Sequence, residues 1–270
     1  MKLKEYINNN ELLSKIVFAF GEVIPDPLIF LSEEVTDIEV KDLDTIESCK
    51  DCLKCISEFL QTKDLSKRAL WQYENVLSIF SKFLTTLPDQ QFPNKIIEKS
   101  WIVRFFDLCK ECDNDNLQDI WAKLLGKELL LEGHVFKRTL AVLDNMEKFE
   151  YDWFVEFCRF TIDNGYVFEY ILYDNKYYPF NKFQTLIDCG LLNSTQGVVH
   201  FDKSETIKAK GYTLNLSINS DGYQGNIYTL TDAGTQLCEL IEVKASIDYL
   251  YQLKDNIANS KKATLEIIED

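Results

Sequence analysis

Glu128 is the residue whose placement most invites a chemical question. It follows Leu124 by four positions and Trp121 by seven. That spacing puts it on the same helix face as Leu117, Ile120, Trp121, Leu124 and Leu125. A carboxylate on an apolar face is costly to bury without a partner. The first reading is a buried ion pair with Arg138 across the Gly133 turn, or with Arg104 or Arg68 from neighbouring helices, with Trp121 packed alongside. The alternatives are a ligand-pocket carboxylate of raised pKa and a side chain that reaches the surface.

The cysteines are the second chemical candidate. Cys49, Cys52 and Cys55 form CxxCxxC, and Cys109 and Cys112 form CxxC, spacings found in zinc and iron–sulfur ligand sets. Their context speaks against a metal. They fall within helical stripes, and Cys49 fits an apolar face where a thiol packs as a small hydrophobe. No metal and no cofactor are expected. The histidines, His134 and His200, have no nucleophile or carboxylate at a telling spacing. There is no phosphate-binding glycine loop, nucleophile-elbow serine or His-Glu-x-x-His pair. An enzyme is therefore the less favoured reading, although carboxylate catalysis stays open.

The elements that must position these residues are mostly helical up to residue 164. Apolar residues at three- and four-residue spacing predict helices over 5–24 (ended by Pro25 and Pro27), 46–60, 65–87, 94–112, the central 114–131, 135–146 and 149–162. Asn114 and its neighbours offer N-caps, and Gly133 a stop. Asn164-Gly165 is a turn dipeptide and the expected domain boundary. Beyond it, 166–173 and 177–180 are β-prone and 181–189 is a short helix ending at Gly190. Strand candidates follow at 191–192, 198–201 and 212–218, the last alternating apolar and polar. Residues 220–222 make a hairpin turn, 227–230 return, Thr231 or Asp232 caps a helix, another helix spans 246–258, and a polar tail frays. The expected fold is thus mainly α: a helical domain over 1–164, then a small α+β winged-helix-like domain with a C-terminal helix over 165–270.

Tyr166, Phe168, Tyr170, Tyr173, Tyr177, Tyr178 and Phe180 form a dense aromatic run. It reads as core with an interdomain contact, or alternatively as a protein-binding surface.

The balance of 44 Asp and Glu against 29 Lys and Arg gives a net charge of -15, which repels phosphate backbones. Over 181–240 the basic residues are Lys182, Lys203, Lys208 and Lys210, against six acidic ones, so DNA binding is disfavoured. The N-terminus lacks a signal-peptide pattern, and the apolar stretch 16–31 is broken by Glu22, Pro25, Asp26 and Pro27. A cytoplasmic protein with reduced thiols and no membrane contact is expected.

The middle of the chain resembles a bacterial family called domain of unknown function 2806. The likeness is carried by Arg68, Gln72, Asn75 and Ile79, by Trp101-Ile-Val-Arg-Phe-Phe106, by Leu117-Gln-Asp-Ile-Trp121, and by Leu124-Leu125, Glu128, Gly133 and Arg138-Thr-Leu140. Glu132 and Phe136 stand where the family usually has a proline and a small hydroxyl residue. Gly190-Leu-Leu192 and Leu230-Thr-Asp-Ala-Gly234 are similar to the family's C-terminal part. The resemblance brings no activity; it implies an accessory or mobile-element protein, with a role in phage defence. The function expected is a non-enzymatic interaction or scaffold protein with a protein partner. A DNA-binding winged-helix regulator, or an enzyme with a carboxylate site at Glu128, are the alternatives.

Overall fold

The computed structural model describes residues 65–86, 96–130, 134–175, 177–219 and 222–270. The predicted helices over 5–24 and 46–60, the cysteines Cys49, Cys52 and Cys55, and Gly133 lie outside the described residues. The chain divides into two compact units, Met1–Asp144 and Asn145–Asp270.

In the first unit four helices are described: α1 (Lys67–Thr86), α2 (Lys99–Cys109), α3 (Asp115–Leu130) and α4 (Lys137–Asp144). Ser66 accepts the Ala69 N–H at 3.1 Å ahead of α1. Asn114 Oδ1 accepts the amides of Asn116 and Leu117 at 3.1 and 3.2 Å at the start of α3, the job of an N-cap. Val76, Ile79, Phe80 and Phe83 of α1 are buried at a helical period, and so are Trp101, Ile102, Phe105 and Phe106 of α2. Polar links join α1 to α3: Ser78 donates to Gln118 at 2.7 Å, and Lys82 pairs with Asp119 at 2.5 Å and Asp115 at 2.8 Å. Gly126 sits where an added Cβ would meet Thr86 Oγ1 at 3.4 Å.

The second unit begins with α5 (Lys148–Cys158), opened by a capping box between Glu147 and Glu150. Strand β1 (Tyr166–Phe168) runs into a 3-10 helix (Glu169–Asn175), then α6 (Phe180–Asp188). There follow β2 (Leu192–Phe201), β3 (Glu205–Ala209), β4 (Tyr212–Ile218), β5 (Tyr223–Leu230), α7 (Asp232–Leu240), α8 (Ile247–Asn259) and β6 (Ala263–Glu269). One sheet has the order β1-β5-β2 and the other β3-β4-β6, all pairs antiparallel.

These two three-stranded sheets overturn the expectation of a mainly α chain with a small α+β winged-helix-like end; the fold is mixed α/β. The missed strands are the polar ones. The tail read as frayed is β6, in which Ala263 and Leu265 are buried between exposed Thr264 and Glu266 and pair with Ile218 and Leu216. β3 hides Ile207 and Ala209 in a polar context, and β2 runs the length of 192–201 although its middle is exposed. The β-prone runs after residue 168 go the other way: Glu169–Asn175 coils into a 3-10 helix, and Tyr177 and Tyr178 lead directly into α6.

Two glycines fix how the elements meet. Gly190, with φ 77°, ends α6 in the left-handed region. Gly234 lies in α7 so close to the chain after α6 that a Cβ would stand 2.1 Å from the Leu191 carbonyl oxygen. Thr231 fastens the same spot. Its N–H donates to Leu191 O at 3.0 Å, its hydroxyl donates to Gly190 O at 2.7 Å, and the same hydroxyl oxygen, Thr231 Oγ1, accepts the Gly234 N–H at 3.0 Å. At the far end of α7, Lys210 donates to the carbonyls of Cys238 and Ile241 at 2.8 and 2.7 Å, a cation at a helix C-terminus. No helix among the described residues is long and apolar enough to cross a membrane.

Candidate functional site

Glu128 is 1 % exposed, carried into the helical core by the period of α3. Its Oε2 accepts the Val135 N–H at 2.7 Å, and its Oε1 lies 3.5 Å from His134 Nδ1. The carbonyl of the same Val135 accepts the Trp101 indole N–H at 2.7 Å. The main chain ahead of α4 is therefore held between α3 and α2 by both polar groups of one residue. A hydrogen bond to a charged acceptor of this kind stabilises by about 1.5–3 kcal/mol. Trp121 is buried edge-on to Phe105 at 5.3 Å, and Phe105 stacks on Trp101 at 5.2 Å.

The three arginines proposed for Glu128 sit elsewhere or outside. Arg68 pairs with Glu111 at 2.5 Å, and Gln72 donates to the same carboxylate at 3.0 Å. Arg104 and Arg138 are exposed. This geometry makes Glu128 an anchor for the main chain ahead of α4. A backbone N–H partner leaves no mark in a residue pattern, which is why sequence spacing pointed to charges.

Among the described residues no three or more His, Cys, Asp or Glu are grouped to hold a metal ion. Cys109 and Cys112 lie on and just after α2; burial pushes both thiols up, Cys112 to about 11. Cys158 and Cys238, 80 positions apart and without a spacing that links them, form a thiol pair. Thr161 bridges them, donating to Cys158 O at 2.9 Å and lying 3.5 Å from Cys238 Sγ. A hydrogen bond from Cys158 pulls Cys238 down to about 7 against its own burial, while burial holds Cys158 well up.

The aromatic run after residue 165 is only partly core, and its last member, Phe180, is 58 % exposed. Phe168 and Tyr178 are buried, and the Tyr178 hydroxyl donates to Trp153 O at 2.8 Å. Tyr166 and Tyr170 are half-buried, and burial raises the Tyr166 phenol. The side chain of Tyr173 lies outside the described atoms. Tyr177 differs, because it opens onto a cleft.

That cleft, of about 520 Å³, is lined by Phe160, Tyr177, Ser246, Asp248, Tyr251, Gln252 and Asp255. Four of these, Asp248, Tyr251, Gln252 and Asp255, recur at i, i+3, i+4 and i+7 along α8, a single helix face. Opposite them Phe160 and Tyr177 stand edge to face, 6.4 Å between centroids, each also packed edge-on to the buried Tyr249 at 5.4 and 5.8 Å. The Tyr177 hydroxyl donates to the Asp248 carbonyl at 3.4 Å, and Ser246 N–H to Arg159 O at 2.9 Å. Both walls are thereby fixed to each other. Neither Asp248 nor Asp255 is in an ion pair among the described residues.

Residues 62–177 match the family described as protein of unknown function DUF2806. The family likeness read from the sequence holds over that segment. It takes in the Arg68–Glu111 link, Trp101, Glu128 and the Phe160 and Tyr177 wall of the cleft. It stops before α8 and before the Gly190 and Thr231–Gly234 clasp. No curated protein and no solved structure matches this chain.

Proposed function

We propose that this DUF2806 protein is a non-enzymatic interaction module, working in the cytoplasm, whose docking point is the cleft between α8 and the Phe160–Tyr177 wall. The observation that carries the reading is the composition of that cleft: three aromatic side chains, two exposed carboxylates and an amide on fixed walls. Aromatic faces rimmed by polar groups are what protein contact sites are built from. The phage-defence setting rests on the family likeness alone. DNA binding is less supported, since Lys182 of α6 is committed to Glu156 at 2.6 Å and lies over the Trp153 ring. A carboxylate enzyme at Glu128 is less supported too, because that carboxylate is occupied with the Val135 amide.

A photo-crosslinking amino acid in place of Tyr251, expressed in native cells, tests the proposal. The expected result is one discrete adduct that disappears with Asp255→Lys and is absent when the probe replaces exposed Val198 on β2. No adduct at 251, or equal adducts at both sites, would overturn it.

A further inference from the structure

We infer that the α8 cleft receives basic side chains, arginine or lysine, presented by an extended segment of the partner protein, two of them three residues apart. The inference rests on the interaction reading and adds the chemistry of the occupant.

The argument begins with charge. Asp248 and Asp255 rim the cleft, and no cation of the described chain neutralises either one. Asp248 alone would be explained as an acidic residue in the first turn of α8. Asp255 stands in the third turn, where the helix dipole gives it nothing. The rings supply a second, independent preference. Phe160, Tyr177 and Tyr251 line the same space, and a cation held within about 6 Å of an aromatic ring's face is attracted by its quadrupole. Carboxylates with aromatic walls favour a guanidinium or an ammonium over an anion or a purely apolar group.

Spacing then sets the number. Seven residues of helix separate Asp248 from Asp255, about 10.5 Å along the axis. A polyproline-type segment advances about 3.1 Å per residue and repeats its face every third. Two basic residues three apart are therefore about 9 Å apart on one face and match the two carboxylates. Tyr251 and Gln252 lie between them, one for the stem of a side chain and one for the main chain, which in this conformation keeps its amides unpaired.

The test is calorimetric titration of the full chain with a blocked hexapeptide, glycine-arginine-proline-proline-arginine-glycine, against the same peptide with both arginines replaced by neutral citrulline. The arginine peptide is expected to bind at least ten-fold more tightly. Asp255→Asn and Tyr251→Ala, both at exposed positions, are each expected to weaken it several-fold, and Glu205→Gln on the other sheet to leave it unchanged. Equal binding of the citrulline peptide, or an equal loss with Glu205→Gln, would overturn the inference and assign the binding to shape or to the overall negative charge. If that happens while the adduct at residue 251 persists, the docking point stands with a different occupant; if the adduct is also absent, the interaction reading falls with it.

Discussion

Gly234→Ala is a small change with a large expected effect. The new methyl carbon would stand 2.1 Å from Leu191 O and 3.0 Å from its carbonyl carbon. Ordinary contact needs more than a further ångström, and the obstacle is backbone, so α7 must move away from the chain after α6. Overpacking of this kind costs about 1–3 kcal/mol. The shift also stretches the Thr231 N–H bond to Leu191 O and the Gly234 N–H bond to the Thr231 hydroxyl, each about 1 kcal/mol. Alanine in a helix returns about 1 kcal/mol relative to glycine. The net loss is about 3 kcal/mol. In urea, with a slope of about 1–3 kcal/mol/M, the midpoint should fall by at least about 1 M. Thr231→Ala, which removes the cap and leaves the space unchanged, should cost only about 1 kcal/mol. A Gly234→Ala protein as stable as the parent would refute the close approach on which the second unit's layout depends.

Other substitutions probe the rest of the molecule. Gly126→Ala should raise stability by about 0.5–1 kcal/mol in thermal unfolding, since its Cβ meets Thr86 at ordinary contact distance. Glu128→Ala leaves the buried Val135 N–H without its acceptor and should cost about 2–3 kcal/mol, whereas Glu128→Gln, which keeps an acceptor oxygen, should cost less; equal losses would argue against the bond to Val135. Burial lowers the Lys82 ammonium, but its hydrogen bonds to Asp115 and Asp119 outweigh this and raise it overall. Its stabilisation is therefore complete below the unfolded value of about 10.4 and lost as pH rises through the folded one, so the stability gap between the parent and Lys82→Met should hold to about pH 10 and shrink above it. Cys112 and Cys189, pushed up by burial to about 11 and about 12, should resist alkylation at about pH 8 in the folded protein and react once it is unfolded.

The described helices of the first unit were legible because their apolar residues recur at a helical period, and Glu128 was legible as buried for the same reason. Its partner was not, since the Val135 amide is a main-chain group that no side-chain pattern marks. In the second unit the Asn164-Gly165 turn is where Asp163 and Asn164 take positive φ, at 48° and 53°. The sheets were only half visible. β4 alternates cleanly, whereas β6 shares its alternation with exposed Thr264, Glu266 and Glu269, and its partner β4 lies far earlier in the chain. The acid–aromatic stripe of α8 is present in the sequence as Asp248, Tyr251, Gln252 and Asp255. Nothing local connects it to Phe160 and Tyr177, so the cleft emerges only when those two residues are folded against α8.

The Thr231 clasp also bears on kinetics. β2 and β5 pair from Phe201 with Tyr223 at one end to Leu192 with Leu230 at the other, residues 202–222 closing the loop between them. Loop closure is cheapest at the inner end, so pairing is expected to propagate outward, past the register shift between Leu192 and Gln196, and to reach Gly190 and Thr231 last. A contact made after the rate-limiting step governs how fast the native state is left and hardly touches how fast it is reached. On a chevron plot, Gly234→Ala should therefore lift the unfolding limb and leave the refolding limb nearly in place. A slowed refolding limb would mean instead that the clasp closes early.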